Sequence, residues 1–274
     1  MRNQQVNIQG ILKELKVGEV ESFTSISNGT ASIVWKVSRK CGRSLAVRLV
    51  GSGQLHQCRK EQKIMEVMRE EGMPVPIVHQ VKEVDRYAVM VLDWVDGKTV
   101  VQHLLERPGD AHVIGGEFGE MQAALHRLPL NFEPSGEGDW LTAETPAEKE
   151  LFIHLNTGDR SYLHLDYHPL NVMLSERGII DWTNFALGDY RFDLARTLSI
   201  LEIHGGQYFS EEVLHSFITG WKEGYKSKRG SIGKLTSYIA WAGERMKRDL
   251  GDSMDKEVEA RIDDWVHKQR GEGF

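Results

Sequence analysis

Two acids and one amide have the types and the spacing that phosphoryl transfer requires. Asp166 is followed five residues later by Asn171, and Asp181 lies ten residues further along the chain. Phosphoryl transfer needs from a protein mainly a carboxylate that faces the acceptor hydroxyl, a clamp for the phosphates, and oxygen ligands for Mg²⁺. We therefore predict that Asp166 accepts the hydroxyl proton and that Asn171 and Asp181 bind the metal ion.

A predicted hairpin would bring the two metal ligands together. Residues 171–174 and 178–181 are short apolar runs, and the segment 175–178 between them is typical of a tight turn that ends in glycine. Such a hairpin carries Asp181 back beside Asn171, although the two are distant in sequence.

Two histidines in the same segment suggest an alternative. His164 and His168 are four residues apart, which would suit a zinc pair on a helix. Pro169 argues against that helix, because its ring disfavours helical geometry at the preceding residue. We therefore interpret His164 as a packed structural histidine.

The loop resembles the catalytic loop of the aminoglycoside phosphotransferase and choline kinase family, whose members are relatives of protein kinases. That loop reads His-Gly-Asp-x-x-x-x-Asn, and here it reads His164-Leu165-Asp166 followed by Asn171. The run Ile180-Asp181-Trp182 is similar to the family's metal-binding Ile-Asp-Trp. The resemblance implies a phosphotransferase that uses ATP or GTP together with Mg²⁺.

A second run extends the resemblance. Residues 187–197 are similar to the family's Gly-Asp-Pro-x-x-Asp-Leu-Ala, in which the later acid, here Asp193, braces the catalytic loop rather than reacting. Leu165 stands where the family usually has Gly, and Tyr190 stands where it usually has Pro. Both departures bear on loop geometry, and neither removes a reacting group.

The N-terminal region is predicted to supply the nucleotide site. Residues 23–27 and 32–38 have the alternating, β-branched character of strands. Asn28, Gly29 and Thr30 between them are candidates for a loop whose backbone N–H groups cap phosphate oxygens. Because this loop has a single glycine, an ordinary hairpin turn is the alternative.

A third predicted strand, residues 44–50, carries the cation Arg48 within an apolar run. A cation on a buried strand needs a counter-charge, and the predicted helix of residues 54–71 places Glu61 on its apolar face. The resemblance implies that Arg48 holds the α and β phosphates and that Glu61 pairs with it. A solvated Glu61 at the edge of the helix is the alternative.

Two further predicted strands, residues 77–84 and 87–92, complete a sheet of five antiparallel strands accompanied by one helix. The run that follows resembles the family's hinge. Backbone groups near Leu92 and Trp94 are therefore predicted to bind adenine, with Val47 as an apolar neighbour.

The predicted fold class is α+β, with two lobes arranged as in protein kinases. Residues 1–92 form the predicted nucleotide-binding lobe, residues 93–97 the hinge, and residues 98–274 a mainly helical catalytic and substrate-binding lobe that contains the catalytic hairpin.

Apolar periodicity predicts helices in the C-terminal region near residues 110–127, with Asp110 as the N-cap, and near 210–224, 231–250 and 255–269. Residues 129–145 are predicted to be a loop, either close to the substrate or on the surface. Five aromatic residues could form a box for a quaternary amine, but helix core is the favoured interpretation. They are Tyr208, Trp221, Tyr225, Tyr238 and Trp241.

Charge is unevenly divided along the chain. Residues 1–97 carry 14 Lys and Arg against 11 Asp and Glu, whereas residues 98–274 carry 20 against 29. An acidic substrate lobe would concentrate cations, which favours an amine-bearing alcohol such as an aminoglycoside or a choline-like compound. Acids that merely keep the surface soluble are the alternative. Neither part has the dense basic patch of a nucleic-acid-binding protein.

The sequence therefore favours an ATP- and Mg²⁺-dependent small-molecule O-kinase. A protein kinase and a catalytically silent nucleotide-binding protein are the alternatives. The family also permits macrolide, thiamine, homoserine and other acceptors, so the acceptor is left open, as is the oligomeric state.

Cellular location is predicted from what the sequence contains. It has no apolar stretch of about twenty residues, and its first residues do not lead into a signal-peptide core. We predict a cytoplasmic protein with no membrane partner. Cys41 and Cys58 have neither disulfide nor metal-site spacing, so both are predicted to be reduced thiols.

Overall fold

The fold is taken from a computed structural model that describes residues 6–28, 32–133, 140–155, 160–174 and 178–271. Of Ser27, Asn28, Arg270 and Gly271 it describes the backbone alone. The chain divides into two compact units, Met1–Asp96 and Gly97–Phe274. The roles predicted for the two lobes and for the hinge between them stay predictions.

Five antiparallel strands form the sheet of the first unit, which confirms the predicted sheet. Neighbouring strands follow the order β1-β2-β3-β5-β4. The strands are β1 (Val20–Asn28), β2 (Ile33–Arg39), β3 (Leu45–Gly51), β4 (Val78–Val84) and β5 (Tyr87–Asp93). In the centre, β3 pairs with both β2 and β5, so Arg48 lies opposite Met90 on one side and Val34 on the other.

Two helices accompany this sheet, whereas the sequence analysis expected one. The expected helix is α2 (Leu55–Glu70), and the additional helix α1 (Ile8–Leu15) precedes the sheet. Asn7 caps α1 by accepting a hydrogen bond from the N–H of Gly10 at 3.1 Å. Because α1 has only about two turns, its apolar spacing falls below the length at which periodicity identifies a helix.

The two faces of the sheet are covered by different helices. One face carries Val47 and Leu49, which pack in a buried cluster with the apolar side of α1. On the opposite face, Val50 and Met90 pack with Cys58 of α2. This follows from the two-residue period of a strand, which sends successive side chains to opposite faces.

The second unit is mainly helical, as predicted. Its helices are α3 (Val100–Glu106), α4 (Ala111–Leu125), α5 (Pro146–Phe152), α6 (Tyr190–His204), α7 (Glu211–Arg229), α8 (Thr236–Leu250) and α9 (Lys256–Gly271). A two-stranded antiparallel sheet, β6 (Arg160–Leu163) and β7 (Ala186–Asp189), was not predicted. None of the helices in the described ranges has the length and hydropathy needed to cross a membrane.

Asp110 occupies the predicted N-cap position of α4, but its side chain does not cap the helix. Asp110 directly precedes α4 but makes no capping hydrogen bond with its side chain. Its carboxylate instead accepts a hydrogen bond from the Nε2 of His103 at 2.8 Å. The side chain of Asp110 therefore binds His103 rather than the N–H groups at the start of α4.

Helices α4 and α7 approach each other through glycine. A Cβ atom on Gly119 would lie 2.1 Å from the carbonyl oxygen of Trp221, and one on Gly220 would lie 2.0 Å from that of His112. Real side chains do not make contacts this short, so the two backbones are in direct contact. This approach matters because α4 and α7 carry polar residues that support the catalytic loop.

We predict that Gly119→Ala destabilises the protein by about 3 kcal/mol, because the new methyl group would force α4 and α7 apart. Urea unfolding followed by circular dichroism measures this change. Gly109→Ala is the matched control, since a Cβ at Gly109 meets no atom within 4 Å and should change stability by less than about 0.5 kcal/mol. Equal stability of the two variants would contradict the close approach.

Candidate active site

The loop that carries Asp166 begins where β6 ends. The amide group of Asn171 binds this loop twice: its Nδ2 donates to the backbone oxygen of Asp166 at 3.0 Å and to its Oδ2 at 2.9 Å. Because the nitrogen of the amide is engaged with Asp166, its oxygen is the atom that can face a cation. The structure thus brings Asp166 and Asn171 together in the arrangement that the spacing predicted.

The predicted hairpin brings Asp181 to the same place. The N–H of Met173 donates to the carbonyl oxygen of Gly178 at 2.8 Å, and the N–H of Ile180 donates to that of Asn171 at 3.0 Å. Asp181 directly follows and is exposed. The turn residues 175–177 lie outside the described residues. Pairing on both sides of the turn is nevertheless what places Asp181 next to Asn171.

Asp181 has a backbone conformation that is uncommon for a non-glycine residue. Its φ is +62°, in the left-handed region that few residues other than Gly, Asn and Asp adopt readily. The hydroxyl of Thr183 donates to its Oδ1 at 2.7 Å. The local fold thus holds the carboxylate at a point where the chain turns sharply.

The donor set of Asn171 and Asp181 fits magnesium. Mg²⁺ is usually bound by one or two carboxylates together with substrate phosphates and water, rather than by an all-protein cage. Within the described ranges, no cluster of three or more His, Cys, Asp or Glu side chains could hold a metal ion alone. An exposed carboxylate beside an amide oxygen is therefore suited to a metal that arrives with a phosphate ligand.

The pKa of Asp166 is below its usual value. Burial alone would raise this pKa, but the hydrogen bond and charge of His168, with a smaller effect of the charge of Arg196, outweigh it. The His168 Nε2 lies 3.5 Å from the Asp166 Oδ1. Asp166 is therefore an ionised carboxylate at neutral pH.

His164 is buried and structural, as predicted. Its Nδ1 accepts a hydrogen bond from the N–H of Asp166 at 3.2 Å, and its Nε2 donates to the carbonyl oxygen of Ile180 at 3.1 Å. Burial lowers its pKa, in keeping with this neutral tautomer. The ring therefore connects the catalytic loop to the strand that precedes Asp181.

Leu165 explains why glycine is usual at this position of the family's loop. Its φ is +61°, which a side chain with a Cβ adopts at a cost of roughly 1–2 kcal/mol. Its side chain is fully buried, and its N–H donates to Asp193 Oδ1 at 2.6 Å. Burial of the side chain offsets the backbone strain, so the loop keeps the conformation that glycine would adopt freely.

The carboxylate of Asp193 binds the catalytic loop and residues at the end of α4. Besides the N–H of Leu165, its carboxylate accepts from His126 Nε2 at 2.8 Å and from Gln122 Nε2 at 3.1 Å. Burial would raise the pKa of Asp193, but the hydrogen bond and charge of His126 and the N–H of Leu165 lower it below its usual value. The position is the one that the resemblance implied for Asp193.

The sequence analysis did not identify Gln122, whose role depends on long-range contacts. Its Oε1 accepts from Trp221 Nε1 at 2.8 Å, and its Nε2 also donates to Thr197 Oγ1 at 3.0 Å. The hydroxyl of Thr197 in turn donates to the carbonyl oxygen of Tyr167 in the catalytic loop at 2.9 Å. The available signal was a polar residue within an apolar helix, the same signal that identified Glu61.

Four of the five aromatic residues considered as a box are core residues, as favoured. Trp221, Tyr225, Tyr238 and Trp241 are buried, whereas Tyr208 is exposed. The Tyr225 hydroxyl lies 2.9 Å from His126 Nδ1, and the Tyr238 hydroxyl donates to Asp189 Oδ2 at 2.8 Å. Their polar atoms thus stabilise α4 and α6.

The first unit contains the predicted ion pair. Arg48 NH1 donates to Glu61 Oε1 at 3.1 Å, and Arg48 NH2 contacts Glu61 Oε2. Glu61 is 1% exposed, which rules out the solvated alternative. Two parallel hydrogen bonds fix the plane of a guanidinium as well as its position, so α2 orients the cation of β3.

Leu92 and Trp94, the candidates for binding the nucleotide base, have different neighbours. Leu92 is half-buried and pairs with Ala46 across the sheet, and the ring of Trp94 lies 4.7 Å from Lys36 Nζ. Val47 is buried on the α1 face of the sheet, opposite the face of Arg48. A base on the side of Arg48 would therefore meet Ala46 rather than Val47.

The predicted phosphate loop is described only in part. The backbone of Asn28 ends β1 and pairs with Ile33. Gly29 and Thr30 lie outside the described residues. The loop and its contribution to phosphate binding therefore stay a prediction.

Comparison with known proteins identifies the family. Residues 22–155 and 137–230 match the model of the phosphotransferase enzyme family, which covers well over half of the chain. The chain therefore belongs to that family. This confirms the predicted family and the prediction that the protein is an enzyme of the small-molecule phosphotransferase class. No curated protein sequence matches the chain significantly.

Solved structures confirm the kinase-like fold at low sequence identity. An aminoglycoside-3'-phosphotransferase of type VIII is 18% identical over 96% of this chain and 98% of its own, with a TM-score of 0.56. A macrolide 2'-phosphotransferase from Brachybacterium faecium is 12% identical over 94% and 98%, with a TM-score of 0.55. The streptomycin and ATP complex of APH(2'')-IIa is 14% identical over 96% of both chains, with a TM-score of 0.57.

We predict that Asp193→Asn destabilises the protein by about 3 kcal/mol at pH 7. The asparagine side chain replaces one accepting oxygen with an NH2 group, and this donor would face the buried donors that Asp193 binds. The folded-state pKa of Asp193 is lowered, so its stabilising effect is full above the unfolded value of about 3.9 and is lost as the pH falls through the folded value. The stability difference between wild type and variant should therefore shrink below about pH 4. Urea unfolding at a series of pH values measures it.

The matched control is Asp252→Asn, because Asp252 is exposed. Its unfolding free energy should stay close to that of the wild type. A difference for Asp193→Asn that is independent of pH would show that the ionised carboxylate is not what stabilises the loop.

Proposed function

We propose that the protein transfers the γ-phosphoryl group of ATP to a hydroxyl group of a small molecule, with Mg²⁺ as cofactor. The observation that carries the proposal is the position of Asp166, whose carboxylate and backbone oxygen each accept a hydrogen bond from Asn171, beside the paired segment that leads to Asp181. In a member of the phosphotransferase family, this is a carboxylate for the acceptor and an oxygen pair for a metal.

Asp166 would accept the proton of the acceptor hydroxyl. The lowered pKa keeps the carboxylate ionised and hence able to accept a hydrogen bond from the hydroxyl. The hydrogen bonds of Asn171 and the N–H of Asp166 to His164 restrict where the carboxylate can point. Positioning of this kind supplies much of the rate enhancement when the reaction itself needs little covalent help.

Asn171, through its amide oxygen, and Asp181 would hold Mg²⁺. When bound, the ion neutralises charge on the phosphate oxygens. The close backbone pairing between residues 171–173 and 178–180 keeps the two ligands together.

Arg48 would hold the phosphates of the nucleotide, with Glu61 fixing its orientation. We propose residues 1–92 as the nucleotide-binding lobe, with Asn28, Gly29 and Thr30 over the phosphates and with backbone groups near Leu92 and Trp94 for the base. Residues 93–97 would be the hinge and residues 98–274 the catalytic lobe. The solved ATP complex of a similarly folded enzyme supports ATP as the donor, and GTP is the alternative.

The acceptor would be a small alcohol, with an amine-bearing alcohol favoured by the acidic balance of residues 98–274. Two structural neighbours are named as phosphotransferases of an aminoglycoside and of a macrolide. These names agree with a small hydroxyl compound as the acceptor. A protein acceptor would instead appear as phosphorylation of an added peptide mixture.

We predict that Asp166→Asn lowers ATP turnover by about 10²- to 10⁴-fold, because the variant lacks the group that accepts the hydroxyl proton. ADP release measured with a panel of hydroxyl compounds, from aminoglycosides and macrolides to choline and thiamine, tests this and identifies the acceptor. Asp181→Ala should also abolish turnover.

The control for both variants is Asp252→Asn, which removes an exposed carboxylate and should leave turnover unchanged. Full activity of Asp166→Asn would refute the assigned role. A preference for neutral sugars in the panel would refute the amine-bearing acceptor alone.

We predict that Arg48→Met weakens nucleotide binding roughly tenfold or more, because a charged donor to phosphate is lost. Glu61→Leu alone should destabilise the fold by leaving a buried cation unpaired. The double variant Arg48→Met/Glu61→Leu should recover stability, since an apolar pair can replace a buried ion pair. It should not recover nucleotide binding.

Titration with ATP and with GTP, monitored by calorimetry, measures the affinities and the base preference. Lys82→Met is the matched control, because Lys82 forms a surface ion pair with Glu14. Wild-type affinity in Arg48→Met would remove Arg48 from the nucleotide site.

A further inference from the structure

A buried arginine lies in the helical turn that supports the catalytic loop. Arg196 is 7% exposed and directly precedes Thr197, whose hydroxyl donates to the carbonyl oxygen of Tyr167. Three residues earlier, Asp193 accepts from the N–H of Leu165. Arg196 thus belongs to the same turn of α6 as the residues that hold the loop, but it makes no such contact itself.

Arg196 lies near the loop of Asp166 because its neighbours in α6, Asp193 and Thr197, both bind that loop. Among the described residues, Arg196 forms its ion pair with Asp249 and not with Asp166.

Arg196 shares its ion-pair partner with a second buried arginine. The Asp249 carboxylate accepts from Arg196 NH2 at 2.7 Å and from Arg245 Nε at 2.9 Å, and both arginines are 7% exposed. Among the described residues, Arg196 therefore has no carboxylate to itself at ion-pair distance. The Trp140 ring lies against both cations, 3.4 Å from the Arg245 guanidinium carbon and 5.4 Å from that of Arg196.

Two nitrogen atoms of Arg196 have unused hydrogen-bonding capacity. Within the part of the chain that the structure describes, its Nε and NH1 are buried without a hydrogen-bond partner. Arg245, by contrast, also donates through NH1 to the carbonyl oxygen of Trp140 at 2.6 Å. Unsatisfied donors on a buried charged group destabilise a fold, and a ligand that accepts from them removes that cost.

We propose that Arg196 binds an anionic group, a carboxylate or a phosphate, carried by the acceptor alcohol whose hydroxyl faces Asp166. The proposal rests on the proposed function, and it holds whether or not the acceptor also carries an amine. Trp140 forms the outer wall of this anion site, and Asp249 fixes the plane of the guanidinium.

Three acids on α6 and α8 already have partners. Glu202 accepts from Trp265 Nε1 and Gln269 Nε2, both at 2.7 Å. Glu244 pairs with Lys247 at 3.2 Å, and Asp249 is shared by the two arginines. These three acids are therefore engaged within the protein.

The experiment measures the melting temperature of the full-length protein, saturated with Mg²⁺ and a non-hydrolysable ATP analogue, as malonate or inorganic phosphate is added. Chloride at equal ionic strength serves as the reference. In the wild type, at least one anion should raise the melting temperature, and the larger rise distinguishes a carboxylate from a phosphate ligand. In Arg196→Met the rise should be lost, with apparent affinity weakened roughly tenfold or more.

Stability in the absence of anions separates this role from a structural one. Arg196→Met removes an incompletely bonded buried cation and leaves Asp249 paired with Arg245, so its melting temperature should equal or exceed that of the wild type. Arg196→Lys keeps the charge and should retain part of the anion effect. The control Lys247→Met removes a cation of α8 that pairs with Asp263 and should retain the whole effect.

A second series omits the nucleotide analogue. Four results would overturn the proposal. They are a lower melting temperature of Arg196→Met without anions, an equal anion effect in that variant, no anion effect in the wild type in either series, and an effect that is present only in the series without the analogue. The last would mean that the site belongs to the nucleotide phosphates. Because no turnover is measured, each result is independent of the Asp166→Asn test of phosphoryl transfer.

Discussion

The buried carboxylate of Asp193 is the group on which the arrangement of the second unit depends. It accepts hydrogen bonds from the catalytic loop through Leu165 and from α4 through His126 and Gln122. A carboxylate that is shielded from water is tolerated only when its oxygens are well bonded, so the loop and both helices must keep one arrangement. The glycine contacts of α4 and α7 serve the same requirement, because they bring Trp221 within hydrogen-bonding distance of Gln122.

The buried cations Arg48 and Arg196 differ in how they are paired with counter-ions. Arg48 is held by Glu61 through two hydrogen bonds, which fixes its orientation before any ligand binds. Arg196 shares its counter-ion with Arg245 and keeps unsatisfied donors. A cation with its own counter-ion can act on a ligand mainly through its position, whereas a cation that shares its counter-ion gains a further partner when an anion binds. We therefore assign the two arginines different tasks.

Features governed by local spacing could be predicted from the sequence. The hairpin between Asn171 and Asp181 followed from two short apolar runs and a turn, and Glu61 stood out as an acid on an apolar helix face. The face occupied by Val47 also follows from strand alternation, because Val47 is adjacent to Arg48 in β3 and points to the opposite face. Contacts between distant segments, such as those of Gln122 with α6 and α7, leave only a weak signal because any buried polar residue gives the same pattern. Helix α1 was missed because it is too short for periodicity to identify it.

The side chains of α6 that hold the catalytic loop do not indicate which acceptor the protein uses. Asp193 and Thr197 are one helical turn apart and point at the loop, where their partners are backbone groups of Leu165 and Tyr167. Backbone contacts fix the geometry of the loop but are indifferent to the substrate. Arg196, one residue before Thr197, lies on a neighbouring part of the helix surface, and no backbone group constrains its identity. Substitution there could alter the charge presented to the acceptor without disturbing the hydrogen bonds that hold Asp166. If Arg196 binds the acceptor as proposed, the side chain that selects the acceptor directly precedes one of those that hold the catalytic loop.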